Sequence, residues 1–211
     1  MRNERLFRIA LNGAAGFAAA FALWLALSAP YARLLAPVTQ TVIRLTERPE
    51  ITSVVPSGTL LVDYRSDVPP DRGQLAIESR EITFNFILLV TLFAASRRAL
   101  SRRNLIGLSC ASAVLFFVHV GAAISFIKAD YALNYGSWSA EHFGTISRSI
   151  WSRAPYFYSV VGVHALAFAL WWLLRDDSTF VASSPAAKRA TPAAAAAHRA
   201  SRIRARRAAR S

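Results

Sequence analysis

The side chains best equipped for chemistry in this chain are two histidines and a cysteine set inside apolar runs. His119 lies within Leu105–Ile127 and His164 within Tyr156–Leu174. An ionisable group inside a membrane span is costly to place and is a functional hypothesis by default. If the two runs cross a membrane in opposite directions, His119 stands seven residues before Phe126 and His164 eight after Tyr156. At about 1.5 Å per residue, both would lie about 10–12 Å below the same surface. Two imidazoles at one depth on different helices could ligate the iron of a haem b, or a metal with further ligands. The plainer reading is a pair of neutral histidines, each hydrogen-bonded to a helix backbone or a neighbouring serine. Cys110 is the only cysteine, so no intramolecular disulfide can form. A thiol beside a basic loop invites a nucleophile reading. His119, however, follows nine residues on, about 13 Å further along a helix and out of reach as a base. Cys110 is therefore expected to be a buried, inert thiol.

No Gly-rich phosphate loop, zinc spacing, paired carboxylates or Ser/His/Asp arrangement is visible in the 211 residues. The acids Glu47, Glu50, Asp63, Asp67, Asp71, Glu78 and Glu81 show no metal-loop spacing. The expectation is a protein that is not an enzyme and carries no cofactor, with haem on His119 and His164 as the alternative.

The elements that would position these residues are membrane spans. The chain is 54% hydrophobic and 18% charged, where a soluble domain carries about 25% charge. Its mean hydropathy is +0.32, and the apolar residues are bunched into long runs. The fold class expected is an all-α membrane protein with four transmembrane helices and a small β-rich extracytoplasmic insert. The boundaries read as an N-tail 1–8, a first span 9–28, an extracytoplasmic segment 29–81, a second span 82–95, a basic loop 96–104, a third span 105–127, a loop 128–155, a fourth span 156–174 and a disordered basic tail 175–211. The first run reads as an uncleaved anchor, because Pro30 spoils a signal-peptidase site after Ser28 or Ala29. Gly16 and Ala20 make a small-xxx-small pair that would let another helix approach closely, set against the plainer reading of an Ala-rich span. Tyr31–Leu45 keeps helical spacing, though Pro30 and Pro37 should bend or interrupt it, and reads as an amphipathic segment that extends the first span and lies along or above the outer membrane surface. Ile51–Val55 and Thr59–Tyr64, split by Pro56-Ser57-Gly58, read as a hairpin, and Gln74–Arg80 as a third strand.

Charge sets the orientation. Sixteen of the 25 lysines and arginines fall in the N-tail, the loop holding Arg97, Arg98, Arg102 and Arg103, and the C-tail. The other nine are spread over 29–81 and 128–155 beside nine acids. The positive-inside rule then places both termini in the cytoplasm and the β insert outside. The net charge of +13 is accounted for by topology and anionic lipid rather than by nucleic acid. Membrane lipids are thus expected partners of Arg97, Arg98, Arg102 and Arg103. A membrane or exported protein is expected to meet the sheet edge near Thr59, Leu61 and Gln74.

The order of parts carries one resemblance. The strands Val54–Tyr64 and Leu75–Ser79 lead straight into Thr83-Phe84-Asn85-Phe86, and Pro155-Tyr156-Phe157-Tyr158 opens the last span. This layout, over most of residues 6–175, resembles the small multi-spanning membrane proteins associated with bacterial exosortase systems, which sort and process exported proteins. The resemblance implies an accessory subunit. Exosortases themselves use a Cys, Arg and His near the outer face, whereas Cys110 is at the opposite end of its span, so no catalytic residue carries over.

Overall fold

The computed structural model describes residues 2–46, 52–65, 75–96 and 99–175. Gln74, Arg97, Arg98 and the tail from Asp176 lie outside the described residues. Among the described residues, three helical stretches are long and apolar enough to cross a membrane: Ile9–Thr46, Arg102–Leu133 and Thr145–Leu174. The first belongs to α1 (Arg2–Thr46) and the second is α4 (Arg102–Leu133). The third joins α6 (Thr145–Phe157), one π-helical turn (Tyr158–Gly162) and α7 (Val163–Leu174).

The stretch expected as the second span is built differently. It consists of α2 (Ser79–Thr83) and the 10-residue α3 (Asn85–Ala94), divided at Phe84. Alone, α3 is about 15 Å long, half the thickness of a hydrocarbon core. It packs between α1 and α7 and beside α4.

Two regions read as interrupted or as loop are helical. α1 runs unbroken through Pro30 and Pro37. A proline inside a helix costs about 3 kcal/mol or more. Here Ala32, Leu35, Ala36 and Ile43, all fully buried, are on the same stretch, and burying a Leu or Ile contributes about 1.5–3 kcal/mol each. This packing offsets much of the cost of the two breaks, and both prolines face outward. Likewise, 128–155 is mostly not loop: α4 continues to Leu133, followed by α5 (Ser137–His142) and α6. Tyr131, Ala132, Tyr135 and Phe143 from this region are core residues.

The strands are β1 (Thr52–Ser57), β2 (Leu60–Arg65) and β3 (Leu75–Glu78), antiparallel in the order β1-β2-β3. The two-residue turn Gly58-Thr59 joins the first two, and Gly58 takes φ +62°, open to a residue without Cβ. Pro56 is tolerated because β1 is an edge. Gln40 of α1 accepts from the Val54 amide at 3.0 Å and pins that edge to the helix. Val54, Leu61, Asp63 and Ile77 point inward.

The molecule has two cores along its length. At the sheet end, the strands pack on the extensions of α1 and α4, with Leu35, Ile43, Leu61, Ile82, Ile127 and Tyr131 at the centre. At the basic-loop end, Leu89, Phe93, Ala111, Leu115 and Ala167 pack together. Gly16 sits so close to α3 that a Cβ there would lie 2.4 Å from that of Ala94, and Ala20 is buried. The small residues of α1 do receive a helix. Asn104, buried, donates to the carbonyls of Phe93 and Ala99 at 3.2 and 3.0 Å and closes the α3–α4 connection. Around the loop-end core Phe17, Phe21, Phe117, Val160, Phe168 and Leu173 are exposed. That much apolar surface marks a lipid or partner environment rather than water.

Candidate functional site, a polar chain among four helices

The group that sequence singled out, His119, is 1% exposed and stands at the centre of a chain of hydrogen bonds. Its Nδ1 lies 2.6 Å from the Tyr31 hydroxyl of α1, and its Nε2 lies 2.7 Å from Oδ1 of Asn85, on the first turn of α3. The Asn85 amide donates to the Tyr158 hydroxyl at 3.2 Å, and Tyr158 donates to the carbonyl of Ile82 at 2.6 Å. A carbonyl can only accept, so the one Tyr158 proton is committed to Ile82. Asn85 must then donate to Tyr158 and present its oxygen to His119. That places the His119 proton on Nε2 and leaves Nδ1 to accept from Tyr31. Every bond runs in the same direction, and each ring nitrogen of His119 is satisfied.

Local structure explains how the residues arrive. Asn85 follows the break at Phe84, which restarts the helix with its side chain inward. Tyr158 begins the π-helical turn, a form enriched at functional positions. Gly162 leaves room for its ring, since a Cβ there would sit 2.9 Å from Tyr158 Cδ2. Tyr31 packs edge-on against Phe116 and His119, with centroids 5.8 and 5.7 Å apart.

The structure does not bring His119 and His164 together. His164 is on the exposed face of α7; equal depth did not imply a shared face, because rotation about each helix axis decides that. A haem iron needs a free nitrogen lone pair on each histidine. His119 has none to give and His164 faces away, so the residues do not fit a bis-histidine haem. Among the described residues no three metal-ligating side chains gather. Cys110, expected to be buried, is instead exposed on α4. Arg102 and Arg103 are exposed at the start of α4. Thr59 is half-buried and donates to Glu78 Oε2 at 3.1 Å. Leu61, expected as a partner contact, is fully buried in the sheet-end core and takes no part in a surface. It is the inward alternate of β2, and its neighbours Leu60 and Val62 are the outward ones.

Sequence reasoning missed Tyr31, Asn85 and Tyr158. The usable signal was Asn85, the one amide side chain in the mainly apolar run Ile82–Ala95.

A second polar cluster braces the sheet. Asp63 is buried and accepts from the Tyr131 hydroxyl at 2.5 Å. The Arg65 guanidinium lies over both Tyr131 and Trp138, 4.4 Å from each ring centroid. Burial, with the Asp130 carboxylate behind it, pushes the neighbouring Tyr135 phenol above its ordinary pKa.

These features define a helical protein with stretches long and apolar enough to cross a membrane, a small antiparallel sheet at one end and a polar chain linking its helices. Compared with protein-family models, curated proteins and solved structures, the chain finds no match.

Proposed function

We propose that this is a non-enzymatic accessory or scaffold protein of a bacterial envelope assembly, export or sorting system. It spans the inner membrane four times with both termini cytoplasmic. In this reading α2 and α3 together, residues 79–94, form the short second span, and the sheet stands outside. The observation that carries the proposal is the closed polar chain. Tyr31, Asn85, His119 and Tyr158 satisfy one another and a backbone carbonyl, which suits holding helices in place and leaves no free group to react. The same helices continue beyond that point and support the sheet, whose face away from them shows Val55 and Tyr64, 44% and 40% exposed. The layout shared with exosortase-associated proteins agrees with such a role.

The test is a photo-crosslinking residue at Val55 or Tyr64 in living cells. The expected product is a discrete adduct with a membrane or exported protein, weakened by Asp at the other position. Adducts with cytoplasmic proteins, or none from either position, overturn the proposal.

A further inference from the structure

Between α1 and the α2–α3 pair lies a cavity of about 90 Å³. Leu23, Leu27 and Phe86 form its apolar walls, and Tyr31 and His119 also line it. Leu23 and Leu27 are 47% and 48% exposed, so one wall is also the lateral surface of the molecule. That is several times the about 10–15 Å³ that a single water needs, room for a short segment of an acyl chain.

At one rim this mainly apolar cavity is bordered by polar side chains. Ser28 and Thr83, both buried, line it together with Trp24. Trp24 Nε1 donates to Thr83 Oγ1 at 3.1 Å, and Ser28 Oγ donates to the Leu25 carbonyl at 3.0 Å. Arg80 leans onto this rim. Its Nε donates to Ser28 Oγ at 3.1 Å, and its guanidinium carbon is 5.9 Å from the centre of the Trp24 ring. Among the described residues no carboxylate pairs with Arg80, so its two terminal nitrogens keep their donors for a ligand.

The level is that of a headgroup. Ser28 is 20 residues beyond Arg8 on α1, about 30 Å along the helix, the thickness of a hydrocarbon core. A tryptophan and an arginine at that level suit the interface. We propose that this is a binding site for one phospholipid with an anionic headgroup. The phosphate sits on the Arg80 guanidinium, and a segment of one acyl chain enters the cavity beside Leu23, Leu27 and Phe86. The charge of Arg80 selects the headgroup, and the cavity fixes the chain.

Trp24 reports on the site directly. The full-length protein is placed in phosphatidylcholine vesicles holding a minor share of phosphatidylglycerol, with acyl-chain bromine on one lipid or the other. The Trp24→Phe variant, subtracted, isolates the emission of Trp24. For one cation near a headgroup, brominated phosphatidylglycerol should quench Trp24 with about fivefold preference over brominated phosphatidylcholine at equal mole fraction. Arg80→Gln should bring the two lipids to parity, and Arg80→Lys should retain most of the preference. Added inorganic phosphate should leave the quenching unchanged. Equal quenching in the wild-type protein overturns the proposal whatever the variants do. So does a preference that survives Arg80→Gln, or quenching relieved by free phosphate.

Discussion

Replacing His119 with leucine should destabilise the folded protein by about 2–4 kcal/mol, because two buried groups lose their partners at about 1–3 kcal/mol each. Leucine nearly fills the imidazole volume, so little of this is a cavity. What is lost is the acceptor for Tyr31 and the donor to Asn85. Adding Asn85→Leu should cost less than the two single changes summed, since the double variant removes one of the stranded groups. Tyr31→Phe should be milder, at about 1 kcal/mol, because only one bond goes. Bonds between helices in a membrane average about 0.6 kcal/mol. The net worth of each link here is therefore small, and the large penalty comes from stranding its partner. Unfolding in mixed micelles with increasing denaturing detergent measures all four variants. Strict additivity of His119→Leu and Asn85→Leu contradicts a coupled chain.

The second large effect is a contrast of sign between two glycines on one helix. Both Gly107 and Gly121 lie inside α4, where alanine is intrinsically better by about 1 kcal/mol. At Gly121 a Cβ meets nothing within 4 Å, so Gly121→Ala should be neutral or stabilising. At Gly107 a Cβ would lie 2.4 Å from the carbonyl oxygen of Leu174 and 3.3 Å from Phe93 Cε1. The first neighbour is backbone at the end of α7 and cannot rotate away. Gly107→Ala must push α7 off α4, and overpacking of this kind costs about 1–3 kcal/mol. The same detergent titration should show Gly107→Ala unfolding earlier than the parent and Gly121→Ala no earlier. Equal shifts at the two positions contradict the close approach of α4 and α7.

How much of this was legible in the sequence differs by element. The strands were, because a turn signal at Gly58 divides two β-rich runs, although the turn falls at Gly58-Thr59 and both Pro56 and Ser57 belong to β1. His119 was, because a titratable ring in an apolar run is costly without partners. Its partners were not. Tyr31, Asn85 and Tyr158 lie far apart in the chain, and whether their side chains converge depends on helix rotation and on the π-helical turn at Tyr158. His164 shows the same limit from the other side, placed at a matching depth yet turned outward. The segment 31–45 was read as bent or interrupted and 128–155 as loop because local signals favoured breaks: prolines at 30 and 37, polar and aromatic residues after Lys128. Tertiary burial of Leu35, Ile43, Tyr131 and Phe143 overrode them. Leu61 was read as surface for want of knowing which face of β2 packs inward.

Function is argued from the polar chain, so the most direct measurement is of its central proton. Nitrogen-15 spectra of histidine-labelled protein, with His119→Leu subtracted to assign the signal, report which ring nitrogen of His119 carries the proton. The account predicts a single neutral tautomer protonated at Nε2, with Nδ1 bare and shifted by a hydrogen bond that disappears in Tyr31→Phe. A proton on Nδ1, a mixture of tautomers, or a spectrum indifferent to Tyr31→Phe would contradict it.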